Sequence, residues 1–220
     1  MINSMDIGYV VTVLVVIFVS MTLHELMHGL VANWLGDETA RLMGRLTLNP
    51  LKHVDPFLTV MLPLLIVASN ALTGTSTPIF GGAKPVPFNP ARIRHEEWGV
   101  AIMALAGPLV NLFIAFICYA TLIFVGVNAP SVIQNILTVS IGVNLGFFAF
   151  NILPLPPLDG SRVIYALAPD FIRRFMDSIE RYGLLVVLLL ILIAGPFLST
   201  YMTSVISGIL WVFGRIFGVA

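Results

Sequence analysis

The chain has 220 residues, of which 58% are hydrophobic and 10% charged, and its mean hydropathy is +1.00. Soluble domains carry about 25% charged residues, so the composition excludes an ordinary soluble globule and implies an integral membrane protein. Net charge is zero, which gives no electrostatic reason to expect a nucleic-acid partner, and the single cysteine, Cys118, leaves no internal disulfide to form.

The first predicted helix runs from Ile7 to about Trp34 and is followed by the helix-stop pair Gly36-Asp37. It lacks the basic flank and small-residue cleavage site of a signal peptide, so a retained membrane helix is expected. Inside its apolar run stands His24-Glu25-Leu26-Met27-His28, an H-E-x-x-H pattern. On a helix two histidines four residues apart share one face and can reach one Zn²⁺, and the glutamate between them is placed to take a proton from water at the metal. In a soluble helix the pattern reads equally well as a surface face with two histidines. Within an apolar helix the three polar groups need partners, because an ionisable group there costs roughly 2.5–3.5 kcal/mol on insertion scales. His24 lies about 25 Å along the helix from Ile7, past the midplane of a roughly 30 Å hydrocarbon core.

Residues 37–56 are polar and rich in turn formers, and the weak alternation from Arg41 to Leu48 predicts a short β-hairpin before Asn49-Pro50. Residues 57–71 are apolar but short for a span and contain Pro63. Residues 72–97 are mixed and rich in glycine and proline. Long apolar segments at about 98–127 and 131–153 flank Asn128-Ala129-Pro130, which predicts a tight helical hairpin. The Pro-rich stretch 151–160 ends the second of these helices, and a charged, partly amphipathic segment follows. The last apolar region, 182–219, contains Gly195-Pro196 and reads as one kinked helix or two short ones. No linker, low-complexity tract or repeat divides the chain, so one domain spanning 1–220 is expected.

Lys and Arg are absent before Arg41 and between Arg94 and Arg162. By the positive-inside rule the loops carrying Arg41, Arg45 and Lys52, then Lys84, Arg92 and Arg94, then Arg162, Arg173, Arg174 and Arg181 are cytoplasmic. The N-terminus is then outside and the histidines approach the cytoplasmic face. Segment 57–71, with basic loops on both sides, is expected to re-enter or form a short hairpin rather than cross once.

A catalytic zinc site takes three protein ligands and keeps a fourth position open. His53, His95, Asp55, Asp159 and Asp170 are the candidates for the third. Asp159 is preferred: it ends a membrane helix on the same side as His24 and His28, and Gly160 after it permits a tight turn. Its bland alternative is a helix-terminal aspartate bonded to backbone N–H groups. Asn111, Asn144 and Asn151 lie in membrane helices, where an amide commonly bonds a neighbouring helix. Asn151, eight residues before Asp159, is assigned to the site as a substrate or oxyanion contact, with Asn144 as a further candidate.

With H-E-x-x-H at 24–28 and N-x-x-P-x-P-x-L-D-G at Asn151, Pro154, Pro156, Leu158, Asp159 and Gly160, the chain resembles the site-2 proteases, intramembrane zinc metalloproteases. The stretches RLTLNPLKHVDP (45–56), GGAKPVPFNP (81–90) and LAGPLVNL (105–112) are similar to compact prokaryotic members without PDZ or CBS domains. The resemblance implies an all-α polytopic membrane protein. Its catalytic core would be the helices at 7–35, 98–127 and 131–153, with further helices at 182–219 and a short β-hairpin or edge-strand region. It implies one Zn²⁺ held by His24, His28 and Asp159, with Glu25 as catalytic base. It also implies a transmembrane protein as substrate and room for a regulatory membrane partner. The stretches Arg45–Leu48 and Lys84–Phe88, with its prolines, read either as a strand edge that clamps an extended substrate segment, along Lys84, Pro85 and Val86, or, for 84–88, as a rigid extended linker. The reading from a different class is a zinc-binding membrane scaffold or metal-handling protein without proteolysis. An intact Glu25 favours hydrolysis, since storage needs no base.

Overall fold

The computed structural model describes residues 7–53, 55–73, 84–125 and 128–219. Among them run helices α1 (Ile7–Trp34), α2 (Thr39–Leu42), α3 (Leu62–Thr73), α4 (Glu96–Val125), α5 (Ser131–Asn151), α6 (Ser161–Leu167), α7 (Asp170–Glu180) and α8 (Gly183–Phe217). Helices α1, α4, α5 and the Leu185–Phe217 part of α8 are long and apolar enough to cross a membrane. Their residues are sorted as a bilayer demands, apolar outward and polar inward. On α1 the stripe Val11, Val15 and Val19 is exposed, while Ser20, Thr22, His24 and Glu25 are buried. A lipid phase rewards that inversion, since it solvates valine and not imidazole.

α1, α4 and α5 pack on one another as a three-helix core. Val13, Val16, Ile17 and Met21 of α1 meet Val139, Val143 and Phe147 of α5. Small buried residues, Gly99, Ala101, Ala104, Gly107 and Ala115, line the inner side of α4, which allows close backbone approach where apolar attraction alone does not drive association. The uncertainty over the last apolar region resolves as one continuous helix of 35 residues with Pro196 inside it. At its far end Phe213 and Phe217 stack on Phe116 and Tyr119 of α4. α3 has 12 residues, about 18 Å, and follows directly on a π-helical turn, Pro56–Met61; it is not among the four described helices long and apolar enough to cross a membrane.

The predicted hairpin is not found, and no strand occurs among the described residues. The reason lies at Asp37. Its Oδ1 accepts from the Thr39 amide at 3.1 Å and the Thr39 hydroxyl at 2.5 Å, which turns the chain into α2 where an extended strand had been expected. Lys84–Asn89 is extended, but it is tied at single points rather than by a ladder. Lys84 N–H donates to the His53 carbonyl at 2.9 Å, and Asn89 N–H donates to Asp37 Oδ2 at 2.6 Å. Arg45 Nη2 donates to the carbonyls of Lys84 at 2.8 Å and Pro85 at 3.4 Å. Pro85 and Pro87 have no N–H, so a strand ladder is interrupted at every second residue. Residues 81–83 of the GGAKPVPFNP stretch lie outside the described residues, as do 126–127 at the end of the second predicted core helix.

Asp37 thus joins the end of α1, α2 and the 84–89 strap. Burial alone would push its carboxyl up, but the Thr39 hydroxyl, the Asn89 and Thr39 amides and the nearby Arg92 outweigh burial and hold it below the usual carboxylate value. A depressed folded-state pKa gives stability that is present above the unfolded value and lost as pH falls through the folded one. Asp37→Asn should therefore cost about 1.5–3 kcal/mol at neutral pH. The gap from wild type should close below about pH 4, as read from thermal unfolding of purified protein across pH.

Candidate metal and catalytic site

His24 and His28 are successive turns of the buried face of α1, and their rings meet edge to face with centroids 4.6 Å apart. The two Nε2 atoms are 3.0 Å from each other. Asp159 Oδ2 lies 3.1 Å from His24 Nε2 and 3.4 Å from His28 Nε2. A tight turn after α5 delivers this carboxylate: Gly160 N–H donates to the Asn151 carbonyl at 2.7 Å, and Leu153 and Leu158 are buried beneath. Gly160 has an ordinary helical φ of −59°. It is glycine because a Cβ would run into the backbone of Ile152 and Leu153.

The outer nitrogens of the rings fix what the inner ones can do. Asn111 Nδ2 donates to Asn144 Oδ1 at 2.9 Å and to the Ser20 carbonyl at 3.4 Å, so its Oδ1 faces His24 Nδ1, at 2.6 Å, as an acceptor. His24 Nδ1 must then carry the proton. His28 Nδ1 lies 2.9 Å from the Met103 carbonyl, which can only accept, and is protonated for the same reason. Both Nε2 atoms are left with lone pairs, aimed at each other and at a carboxylate oxygen. Three electron-pair donors converging in a buried pocket repel unless a cation lies between them. Donors about 2.0–2.1 Å from a tetrahedral zinc stand about 3.3–3.4 Å apart, close to the separations found, so these residues fit the ion.

α4 shapes the space between them. A Cβ on Gly107 would lie 2.6 Å from His24 Nε2 and closer still to His28 Nε2, in the volume a metal would take. Pro108 cannot donate to the Ala104 carbonyl, so the helical ladder is broken one residue from Met103, whose carbonyl orients His28.

Glu25 has a carboxylate oxygen within 4.8 Å of ligand atoms of both histidines. Its Oε2 accepts from Val86 N–H at 2.8 Å, so the 84–89 strap is hooked on it. Both carboxylates thus lie near the two histidines, Asp159 with its Oδ2 at 3.1 and 3.4 Å from their Nε2 atoms and Glu25 tied to the strap. A cavity of about 240 Å³ opens here, lined by Glu25, His28 and Asp159, by apolar Ala32, Val86, Phe88, Met103 and Ala104, and by Arg162 and Glu180.

Of the five candidates for third ligand, Asp159 alone converges on the histidines. His53 is buried with its Nε2 on the Thr47 carbonyl, Asp55 accepts from the Phe57 amide, Asp170 stands exposed at the start of α7, and His95 is on an exposed turn. The asparagines are arranged differently from expectation. Asn151 donates to the Phe147 carbonyl one helical turn back and does not line the cavity. Asn144 is fully buried, bonded to Asn111, the Ser20 hydroxyl and the Ser140 carbonyl, so it is withdrawn from any substrate. Asn111 is the amide that touches the site. The backbone groups of Lys84, Pro85 and Val86 expected to clamp a substrate are partly spent on His53, Arg45 and Glu25, while Pro85 and Val86 remain as cavity wall. Asn111 and Gly107 lie in the 105–112 stretch that carries part of the family resemblance, but neither they nor Arg162 and Glu180 were assigned to the site from the sequence.

Gly107→Ala should abolish stoichiometric zinc in folded protein, measured by metal analysis, because the methyl takes the ion's place. Asn111→Leu removes the orienting bond to His24 together with the amide's bonds to Asn144 and Ser20, and should weaken zinc affinity about 10–100-fold, measured by competition with a chelator.

Residues 12–132 match the profile of Peptidase family M50. The chain is 36% identical over 204 residues to "Putative zinc metalloprotease YwhC" of Bacillus subtilis, covering 90% of this chain and 83% of that protein. It is 29% identical over 186 residues to "Putative zinc metalloprotease Rip2" of Mycolicibacterium smegmatis (84% of this chain, 68% of the relative), and 28% identical over 213 residues to its namesake in Mycobacterium tuberculosis strain H37Rv (94% and 74%). No solved structure matches significantly. With a His-Glu-His cluster positioned for a metal on a helix apolar enough to cross a membrane, and with these relatives, the chain belongs to peptidase family M50, the zinc metalloproteases of site-2 type.

Proposed function

We propose that this metalloprotease cuts peptide bonds within or next to transmembrane segments of membrane-protein substrates. The observation that carries the reading is the convergence of two imidazole lone pairs and a carboxylate inside a candidate membrane span, with a second carboxylate, Glu25, beside them. His24, His28 and Asp159 would hold the zinc. When bound, zinc supplies a Lewis acid that polarises a carbonyl and makes water nucleophilic near neutral pH.

The remaining work falls to side chains and backbone of this chain. Glu25 takes the proton of the attacking water and hands it to the leaving amine. Its Oε2 is held by Val86 N–H, which leaves its other oxygen for that transfer. Asn111 and the Met103 carbonyl keep the imidazoles turned inward. The apolar cavity wall of Ala32, Val86, Phe88, Met103 and Ala104 suits an apolar side chain of a membrane helix. That helix must unwind locally before a carbonyl is exposed, because its amides are internally bonded. The distribution of basic residues supports an N-terminus outside and a cavity near the cytoplasmic face, where water's path would be short. A regulatory membrane partner is compatible with this arrangement.

The test is cleavage of model transmembrane substrates by full-length protein in liposomes, wild type against Glu25→Gln, with zinc quantified in both. The expected result is retained zinc and a loss of turnover of about 10²–10⁴-fold. Equal cleavage by the variant would remove Glu25 as the base. Zinc in both with cleavage in neither, across the whole panel, would favour the metal-scaffold reading.

A further inference from the structure

Outside the site, the most distinctive surface is on α7. Phe171 and Phe175, one turn apart, are 70% and 65% exposed, and the exposed stripe is prolonged by Leu167 before the helix and Tyr182 after it. Arg174 and Arg181 are exposed beside that stripe. The opposite side is engaged with protein: Met176 is buried, Arg173 donates to the carbonyls of Tyr165 at 3.0 Å and Ala166 at 3.2 Å, and Glu180 pairs with Arg162. α7 lies between two candidate spans, α5 ending at Asn151 and α8 entering at Leu185, so residues 152–182 leave and rejoin the bilayer at a single face.

We propose that α7 is a membrane-interface helix, seated in the headgroup region with Phe171 and Phe175 in the acyl boundary and Arg174 and Arg181 at the lipid phosphates. Continuity with the two spans selects lipid as the occupant. The helix is tethered at both ends to membrane segments, and its aromatic stripe flanked by arginine is the pattern of in-plane helices. The seating has a consequence for the cavity. Glu180 of α7 and Arg162 of α6 are paired at the cavity wall beside Asp159, so the lipid that holds α7 also holds that wall. The second step rests on the protease reading; the first does not.

The test places nitroxide labels on Phe171→Cys, Phe175→Cys and Asp170→Cys, each in a Cys118→Ser background, in phosphatidylcholine–phosphatidylglycerol vesicles. Labels at 171 and 175 should relax with oxygen far more than with a water-soluble nickel chelate, and the label at 170 should do the reverse. Equal nickel access at all three would overturn the seating, as would spin–spin broadening at 171 and 175, the sign of a second copy covering the stripe. For the coupling, Phe171→Ser/Phe175→Ser in vesicles should retain zinc and helix content but lose turnover several-fold. Unchanged turnover would overturn the coupling and leave the seating to the label result.

Discussion

Three electron-pair donors pointed at one another inside a helix bundle make a repulsive arrangement, and the rest of the core is arranged so that a cation relieves it. The donors come from two distant parts of the chain. The two nitrogens are one turn apart on α1, and the carboxylate arrives from the turn beyond α5, 131 positions after His28. Their separations of 3.0–3.4 Å depend on how α1 and the α5–α6 turn are held against each other. A buried polar group without its partner costs about 1–3 kcal/mol, so each link from Ser20 through Asn144 and Asn111 to His24 is also a constraint on how those helices pack. Metal affinity and helix packing are in this sense one quantity.

The strap at 84–89 shows the same economy. Its amides and carbonyls are distributed to His53, Arg45, Glu25 and Asp37, which lie on four different parts of the chain. Prolines at 85 and 87 narrow its backbone freedom before any contact forms, so less entropy is lost in fixing it over the site. The outcome is a rigid cover whose one central amide aims the carboxylate of Glu25. A regular strand would have spread the same groups along a neighbour and left the base without this anchor.

How much of this was legible in the sequence follows from what each feature depends on. The i, i+4 spacing of His24 and His28 is a local property of a helix, and the apolar runs around it are local too, so both could be read directly. Asp159 was reachable because a proline-rich helix end and the topology together restrict its depth. That Asn111 would touch His24 was not readable, because it depends on the rotation of α4 against α1. Gly107 is invisible for the same reason: its role is the volume it leaves empty against rings from another helix. The hairpin was misread because alternation from Arg41 to Leu48 was weighed without the side chain of Asp37, which claims the Thr39 amide and hydroxyl first.

These dependences divide the chain into positions of very different tolerance. Val11, Val15 and Val19 face the lipid side of α1, and any apolar side chain there leaves the transfer energy and the packing nearly unchanged. Gly107 and Gly160 lie at contacts where one methyl group meets ligand nitrogens or backbone. A methyl at 107 would be a small, apolar, helix-favouring change by every local criterion, and yet it falls in the volume the metal needs. In a membrane protein, where most of the surface is uniformly apolar, hydropathy therefore says little about which residues matter. What separates them is whether a side chain, or its absence, is opposed by lipid that can flow around it or by a neighbouring helix that cannot.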